Sequence, residues 1–339
     1  MARAQTALRR LLAIGLGIAL ALLGAEGLLR LRYGRSIPER LPLMTVAAHP
    51  TRGYALVPGA DHFTYQHPVR VNSLGLRGPE PRAPRAARRV LLLGDSLVYG
   101  QGVSDAETLP ALLERELAAH GDFEVFNAGL RAYATHQELA WLDELGPLLQ
   151  PDIVVLCWYW NDLEERDVAR TRERLERSGP IAFDLSAPAR GRPLWAWRSK
   201  QLLRRSTLAM VLWDALNTAD RLVPEAAQID AGFERLQAYL QRFAGRCAEI
   251  GAQARFVTLP DAIGLEGSKT RGLEERALEL ARAAGLPAFD LRPALEGFER
   301  PPTLPFDGHF DGRGNRALAG RLANWLVAAQ PPAEAVGAR

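Results

Sequence analysis

The 339-residue chain predicts an α/β fold: a central parallel sheet of about five strands covered by helices on both faces, behind an apolar N-terminal helix. Three observations predict it. From residue 88 onward, short apolar runs alternate with segments of helical period, the signature of parallel strands joined by crossover helices. The strand runs are continuously apolar, as strands buried on both faces require. Near the N-terminus lies one long uncharged run, separated from the rest by a stretch rich in Pro, Gly and Arg.

That run comes first. Arg3, Arg9 and Arg10 precede Leu11–Ala25, which holds only apolar residues and Gly, and Leu28 and Leu29 extend it past the single charge of Glu26. A membrane-spanning helix needs about 20 mostly apolar residues, which Leu11–Leu29 just supplies. Residues 1–35 are therefore read as an uncleaved anchor, because the apolar run continues past Ala25–Gly27. A cleaved signal peptide, cut at those small residues to release a secreted protein, is the alternative. No Cys follows to take a lipid. Arg30, Arg32 and Arg35 nearly balance the arginines on the near side, so charge counting does not orient the segment. The very short N-terminal tail favours placing the remainder outside the cytoplasm.

Residues 36–87 lack helical periodicity and are expected to form a short pre-domain and linker. Within them His62–Tyr65 and Val69–Asn72 predict a short hairpin turning at His67-Pro68. Pro79, Pro81 and Pro84 lead into the main domain, expected over residues 88–330. Its first strand is Val90–Leu93, ending at Gly94. A helix follows over Thr108–His120, with Thr108 as N-cap and Pro110 tolerated in the first turn. Phe123–Phe126 is the second strand, Thr135–Leu149 the second helix and Ile153–Tyr159 the third strand. A helix over Asp230–Ile250, a strand over Ala254–Leu259, a helix over Leu273–Ala284, a strand over Ala288–Leu291 and a closing helix over Gly314–Ala329 complete the alternation. Residues 331–339 are expected to be a disordered tail.

Residues 163–229 interrupt this order as an insertion. Leu163–Arg177 is highly charged, as a solvated helix would be. Trp195–Leu216 is heavily apolar and reads as a helix packed on the domain edge. The alternative is a lid, or a surface resting on the membrane beside the anchor.

Composition excludes several classes. The net charge is only +3, nearly all the positive charge is Arg, and no aromatic-basic interleaving occurs, which argues against nucleic-acid binding. The two cysteines, Cys157 and Cys247, have neither metal-site spacing nor a disulfide framework and read as small buried hydrophobes. Gly94–Gly102 contains no phosphate-binding Gly pattern, which argues against a nucleotide site.

Chemistry is carried by the strand ends. In a parallel α/β sheet ligands gather beyond the carboxyl ends of the strands. Gly94-Asp95-Ser96-Leu97 follows the first strand directly, so Ser96 sits on a sharp turn where it can act as a nucleophile. A nucleophilic Ser needs a base. Of the six histidines, His309 lies in a turn just before the final helix, again at the carboxyl end. Asp307, two residues earlier, is placed to hold the His309 ring so that Nε2 faces Ser96. Asp307, His309, Asp311 and Gly312 also mimic the start of a calcium loop, but His is a poor ligand for a hard cation and Leu318 stands where the bidentate Glu belongs. Asn127-Ala128-Gly129 ends the second strand and Asn161-Asp162 follows the third. The Ser96 and Gly129 amides and the Asn161 side chain could therefore converge on one oxyanion.

These residues resemble the four signatures of the SGNH/GDSL hydrolase family: Ser96 in Gly-Asp-Ser-Leu, Gly129 in Asn-Ala-Gly, Asn161 in Trp-Asn-Asp and His309 in Asp-Gly-His. The resemblance spans roughly residues 88–330. It implies a three-layer α/β/α flavodoxin-like sandwich and esterase, lipase or acyl-transfer activity with no metal or other cofactor. The phrase Val71–Gly78 is similar to the lead-in of membrane-anchored bacterial members, which implies a catalytic domain at the periplasmic face of the inner membrane or at the cell surface. Two positions depart from the family pattern. Tyr159 stands where Gly is usual in the third signature, putting a large ring near the oxyanion donors. Asp307 precedes His309 by two residues where many members have three, a spacing similar to that of some envelope polysaccharide acetyl-modifying members. The substrate expected is an acylated small molecule or glycan. An O-acyltransferase using the same site, or a non-catalytic envelope binding protein, are the alternatives.

Overall fold

A computed structural model of the chain describes residues 2–40, 43–85, 88–182, 194–216, 226–261 and 270–328. They fall in two compact units, one of residues 1–38 and 187–222, the other of residues 39–186 and 223–339.

In the larger unit the strands among the described residues are, in chain order, β1 (Thr45–His49), β2 (Gly53–Leu56), β3 (Phe63–Thr64), β4 (His67–Pro68), β5 (Arg88–Gly94), β6 (Phe123–Gly129), β7 (Ile153–Trp158), β8 (Ile181–Ala182), β9 (Gln253–Thr258) and β10 (Ala288–Asp290). Five of them form a parallel sheet in the order β10-β9-β7-β5-β6. The sheet thus starts one strand in from an edge, steps to that edge with β6 and then builds outward on the other side. Its direction reverses between β5 and β7, where the crevice beyond the strand ends can hold a ligand.

The sheet is apolar on both faces because consecutive side chains point to opposite sides. Leu91 and Leu93 pack with Phe126, Leu156, Trp158 and Phe256 beneath helices Thr135–Leu149, Ala226–Glu249 and Arg271–Ala283. Val90 and Leu92 pack with Val155, Cys157 and Val257 beneath helices Leu109–Leu117 and Gly312–Ala328. Fully burying one such side chain contributes about 1.5–3 kcal/mol, which is what fixes the strands against two helical layers. Thr108 caps its helix through Oγ1, which accepts the Ala111 N–H at 3.3 Å. β6 runs three residues beyond the expected Phe126. The ladder holds Asn127, Ala128 and Gly129 opposite Leu92, Leu93 and Gly94.

The pre-domain is more regular than its composition suggests. β1 and β2 pair antiparallel from Val46↔Leu56 to His49↔Gly53, and β8 adds to β1. The hairpin is present, but its turn lies at Tyr65-Gln66 and not at His67-Pro68, which belong to β4. Pro68 sits on a strand with a single partner, where a missing N–H is tolerated. Tyr65 takes φ +53°. Helix Val168–Ser178, charged as expected, packs over β1 and β2 with Leu175 buried.

The smaller unit contains the N-terminal helix Ala2–Tyr33. Over Gln5–Tyr33 it is long and apolar enough to cross a membrane, a property that a signal sequence shares. Its leucines are exposed from Leu8 to Leu31. The apolar insertion forms two helices, Leu194–Leu203 and Thr207–Leu216, broken at Arg204-Arg205-Ser206. Thr207–Leu216 packs on the N-terminal helix. Glu26 accepts hydrogen bonds from Ser206 Oγ (2.8 Å), Thr207 N–H (2.9 Å) and Leu208 N–H (2.8 Å). A carboxylate from a distant segment thereby satisfies the otherwise orphaned amides at the start of the second helix. The tail expected over 331–339 lies outside the described residues.

Candidate active site

Gly94 closes β5 and the chain turns at once into the short helix Ser96–Tyr99. Asp95 is its N-cap, with Oδ1 accepting the Leu97 N–H at 2.8 Å. Burial pushes the Asp95 carboxyl up, against the opposing pulls of the Leu97 amide and His309. At the other end Gly100 takes φ +84°. The carbonyls there are collected by Arg77, whose side chain is 1% exposed. Its Nη1 donates to Tyr99 O (2.8 Å) and Gly100 O (2.7 Å), its Nη2 to Val103 O (2.8 Å) and its Nε to Asp105 (2.8 Å). Beneath the helix lies Gly129. A Cβ there would come within 2.1 Å of Tyr99 N and 2.6 Å of Val98 C, so only glycine lets the helix sit this close to β6.

His309 lies in a turn bracketed by the Thr303↔Phe310 bridge and closed by Leu304 N–H to His309 O at 2.9 Å. Asp307 Oδ1 accepts the His309 backbone N–H at 3.0 Å and meets His309 Nδ1 in a short hydrogen bond. His309 Nε2 lies 2.8 Å from Ser96 Oγ. A carboxylate can only accept, so Nδ1 carries the proton and Nε2 is left to accept from Ser96. Asp95 Oδ2 is a second acceptor for that hydroxyl at 3.4 Å; the shorter bond to His309 wins. Asp307 Oδ2 in turn accepts from Tyr65 OH in a short bond and from Gln101 Nε2 at 3.4 Å.

Asn161 follows β7 in the turn Trp160–Leu163, and its Nδ2 donates to Asp95 Oδ2 at 3.1 Å. Asp95 therefore contacts both the Ser96 helix and the Asn161 amide. The Gly129 N–H donates to Asn127 Oδ1 at 3.0 Å and so faces into the protein. The Tyr159 ring packs on the sheet face covered by helices Leu109–Leu117 and Gly312–Ala328, with its hydroxyl 3.3 Å from Asp261 just beyond β9. Below the site, Glu138 and Asp162 are buried. Burial first, then Asp162 and Asp95, drive the Glu138 carboxyl well upward.

The sequence-predicted residues therefore fall into three groups. Ser96, His309 and Asp307 form one hydrogen-bonded chain. Asn161 joins it through Asp95. Gly129 contributes closeness of packing, its amide already engaged. Tyr65, Gln101, Arg77 and the linking role of Asp95 were not read from the sequence. Arg77 lies inside the Val71–Gly78 phrase, and an Arg beside Leu-Gly-Leu was its only signal. His62 is held elsewhere, by the Thr45 N–H and Val57 O within the pre-domain.

A family model described as the GDSL-like Lipase/Acylhydrolase family matches residues 92–317, more than half of the chain. The chain belongs to that family and is a GDSL-type ester hydrolase. Among curated proteins none matches it. Similar solved structures include the lipase/acylhydrolase from Enterococcus faecalis, at 20% identity and TM-score 0.44, covering 73% of this chain and 100% of that one. Another is the M. smegmatis aryl esterase, at 18% identity and TM-score 0.41, covering 72% and 100% respectively.

Proposed function

We propose that this chain is a serine esterase acting on acyl esters, O-acetyl or short-chain, through Ser96, His309 and Asp307. The observation that carries the reading is the 2.8 Å contact of Ser96 Oγ with His309 Nε2, backed by Asp307 on Nδ1. Ser96 Oγ attacks the ester carbonyl carbon while its proton passes to Nε2, and Asp307 holds the resulting imidazolium. The Ser96 N–H and the Asn161 Nδ2 proton not given to Asp95 meet the oxyanion, each such donor contributing about 3 kcal/mol in the transition state. The Gly129 N–H joins them only by exchanging Asn127 Oδ1 for the substrate oxygen. The bond to the leaving alcohol breaks as His309 returns the proton to it. Water, deprotonated by His309, then releases the acyl group from Ser96.

A sugar hydroxyl in place of water would make the same site an envelope O-acyltransferase, a reading that the two-residue spacing of Asp307 and His309 supports. The strand order and the two covered faces support the flavodoxin-like three-layer reading. The N-terminal helix is a retained anchor holding the enzyme outside the cytoplasm, at the bacterial inner membrane or cell surface. The three hydrogen bonds that Glu26 accepts support retention, since signal cleavage would strip them from helix Thr207–Leu216.

The test is hydrolysis of p-nitrophenyl acetate by the full chain. Ser96→Ala and His309→Ala are expected to lower kcat about 10³-fold or more while leaving the melting temperature within a few degrees. A folded Ser96→Ala protein with full activity would sink the proposal. Product analysis with an acetyl donor and a glycan acceptor separates hydrolysis from transfer.

A further inference from the structure

We propose that Tyr65, in the pre-domain, is a positioning residue for the candidate triad, fixing the plane of the Asp307 carboxylate and through it the aim of His309. This rests on the triad reading above. Asp307 Oδ1 is occupied by His309, through both Nδ1 and the backbone N–H. A carboxylate held at one oxygen alone still rotates about that contact. Its second oxygen receives the Tyr65 hydroxyl in a short bond, with Gln101 a more distant donor at 3.4 Å. Hydrogen bonds to an ionised acceptor are roughly twice as strong as neutral ones, and the Tyr65 bond is the shorter, so of these two donors the phenol restrains Oδ2 more.

Tyr65 is itself held on every side. It is buried, and its carbonyl accepts the Arg40 N–H at 2.8 Å. The neighbouring Thr64 Oγ1 accepts the Gly102 N–H at 2.6 Å, in the loop after the Ser96 helix. A Cβ on Gly102 would approach Leu304 Cδ1 to 2.0 Å and Tyr65 Cδ2 to 3.1 Å, so the hairpin, this loop and the His309 turn are packed against a glycine. The backbone of Tyr65 takes φ +53° at the hairpin turn. A bulky residue adopts that conformation only at a cost, and such strain persists where surrounding contacts over-determine it. Here it delivers the hydroxyl to Asp307.

The linkage has a sign. Without the phenol the Asp307 carboxylate is more basic and holds the proton on His309 more tightly, so the neutral imidazole appears only at higher pH. In the full chain, Tyr65→Phe is expected to lower kcat for p-nitrophenyl acetate about ten-fold with KM within two-fold. It is also expected to raise the acid limb of the pH profile by about half a unit. 3-Fluorotyrosine at position 65, the same shape with a stronger donor, is expected to move the limb the opposite way. It keeps the test decisive should the Phe variant fold poorly. The His309 ring titration, followed by NMR, reads the same linkage without turnover and is expected to move with the limb. A profile and titration unmoved in both variants would overturn the positioning role. Inactive wild-type protein whose His309 titration still moves with Tyr65 substitution would instead overturn the esterase reading and leave this linkage standing.

Discussion

Ser96 works one residue away from a buried carboxylate and above two more. Asp95 is put to use, capping the helix and holding Asn161. Glu138 is different: both its carboxyl oxygens are buried with no hydrogen-bond partner among the described residues. Its upward shift links it to stability with a definite sign. The folded state keeps its proton to a higher pH than the unfolded chain, whose Glu titrates near 4.5. Stability from this group is therefore complete below that value and declines as pH rises toward the folded value, by up to about 1.4 kcal/mol per pH unit. Glu138→Gln removes the titration. Melting curves from pH 4 to 8 should show the variant gaining on wild type as pH rises, with the smallest difference below about pH 4.5. Parallel curves would contradict this account. Ser96, Asp307 and His309 stood out in the sequence because they sit in two short motifs, one directly after the first strand of the sheet and one just before the last helix. Glu138 could not, because a polar residue in the first turn of a helix looks solvated until the neighbouring turn, with Asp162, is folded over it.

At the scale of elements, the Ser96 helix is defined by what surrounds it: the Asp95 cap, Arg77 on its terminal carbonyls and the glycine floor at Gly129. The five strands of the parallel sheet and the helices that cover it were readable from apolar period to within a few residues, whereas β1, β2 and β8 were not. The hairpin turn was misplaced because Pro68 is a strong turn signal, whereas a left-handed Tyr65 gives none. The N-terminal segment shows the same limit. Glu26 read as a lone interruption of an apolar run; besides Arg30 on the next turn, its partners lie about 180 residues away. If that carboxylate caps helix Thr207–Leu216 in the mature protein, the helix that bears it is retained. Intact-mass analysis of the membrane fraction is expected to find the N-terminal segment still attached. A mature form beginning near Ala25–Gly27 would contradict the anchor.

At the scale of the whole larger unit, the candidate site draws on four separated stretches: the hairpin at Tyr65, the end of β5, the turn after β7 and the loop before helix Gly312–Ala328. The last three meet at the carboxyl end of the sheet, where the strand order reverses between β5 and β7; the alternation of strand and helix implied a parallel sheet but not this order. The contribution of the hairpin depends on tertiary packing, which no local pattern records. All four serve one central claim, that the fold activates Ser96 through His309. The direct measurement treats the full chain in detergent with a serine-reactive fluorophosphonate and locates the adduct by mass spectrometry, alongside His309→Ala and heat-denatured controls. One adduct, on Ser96, is expected in the native protein, and little or none in either control. Native, folded protein that stays unlabelled, or labels equally well without His309, would contradict it.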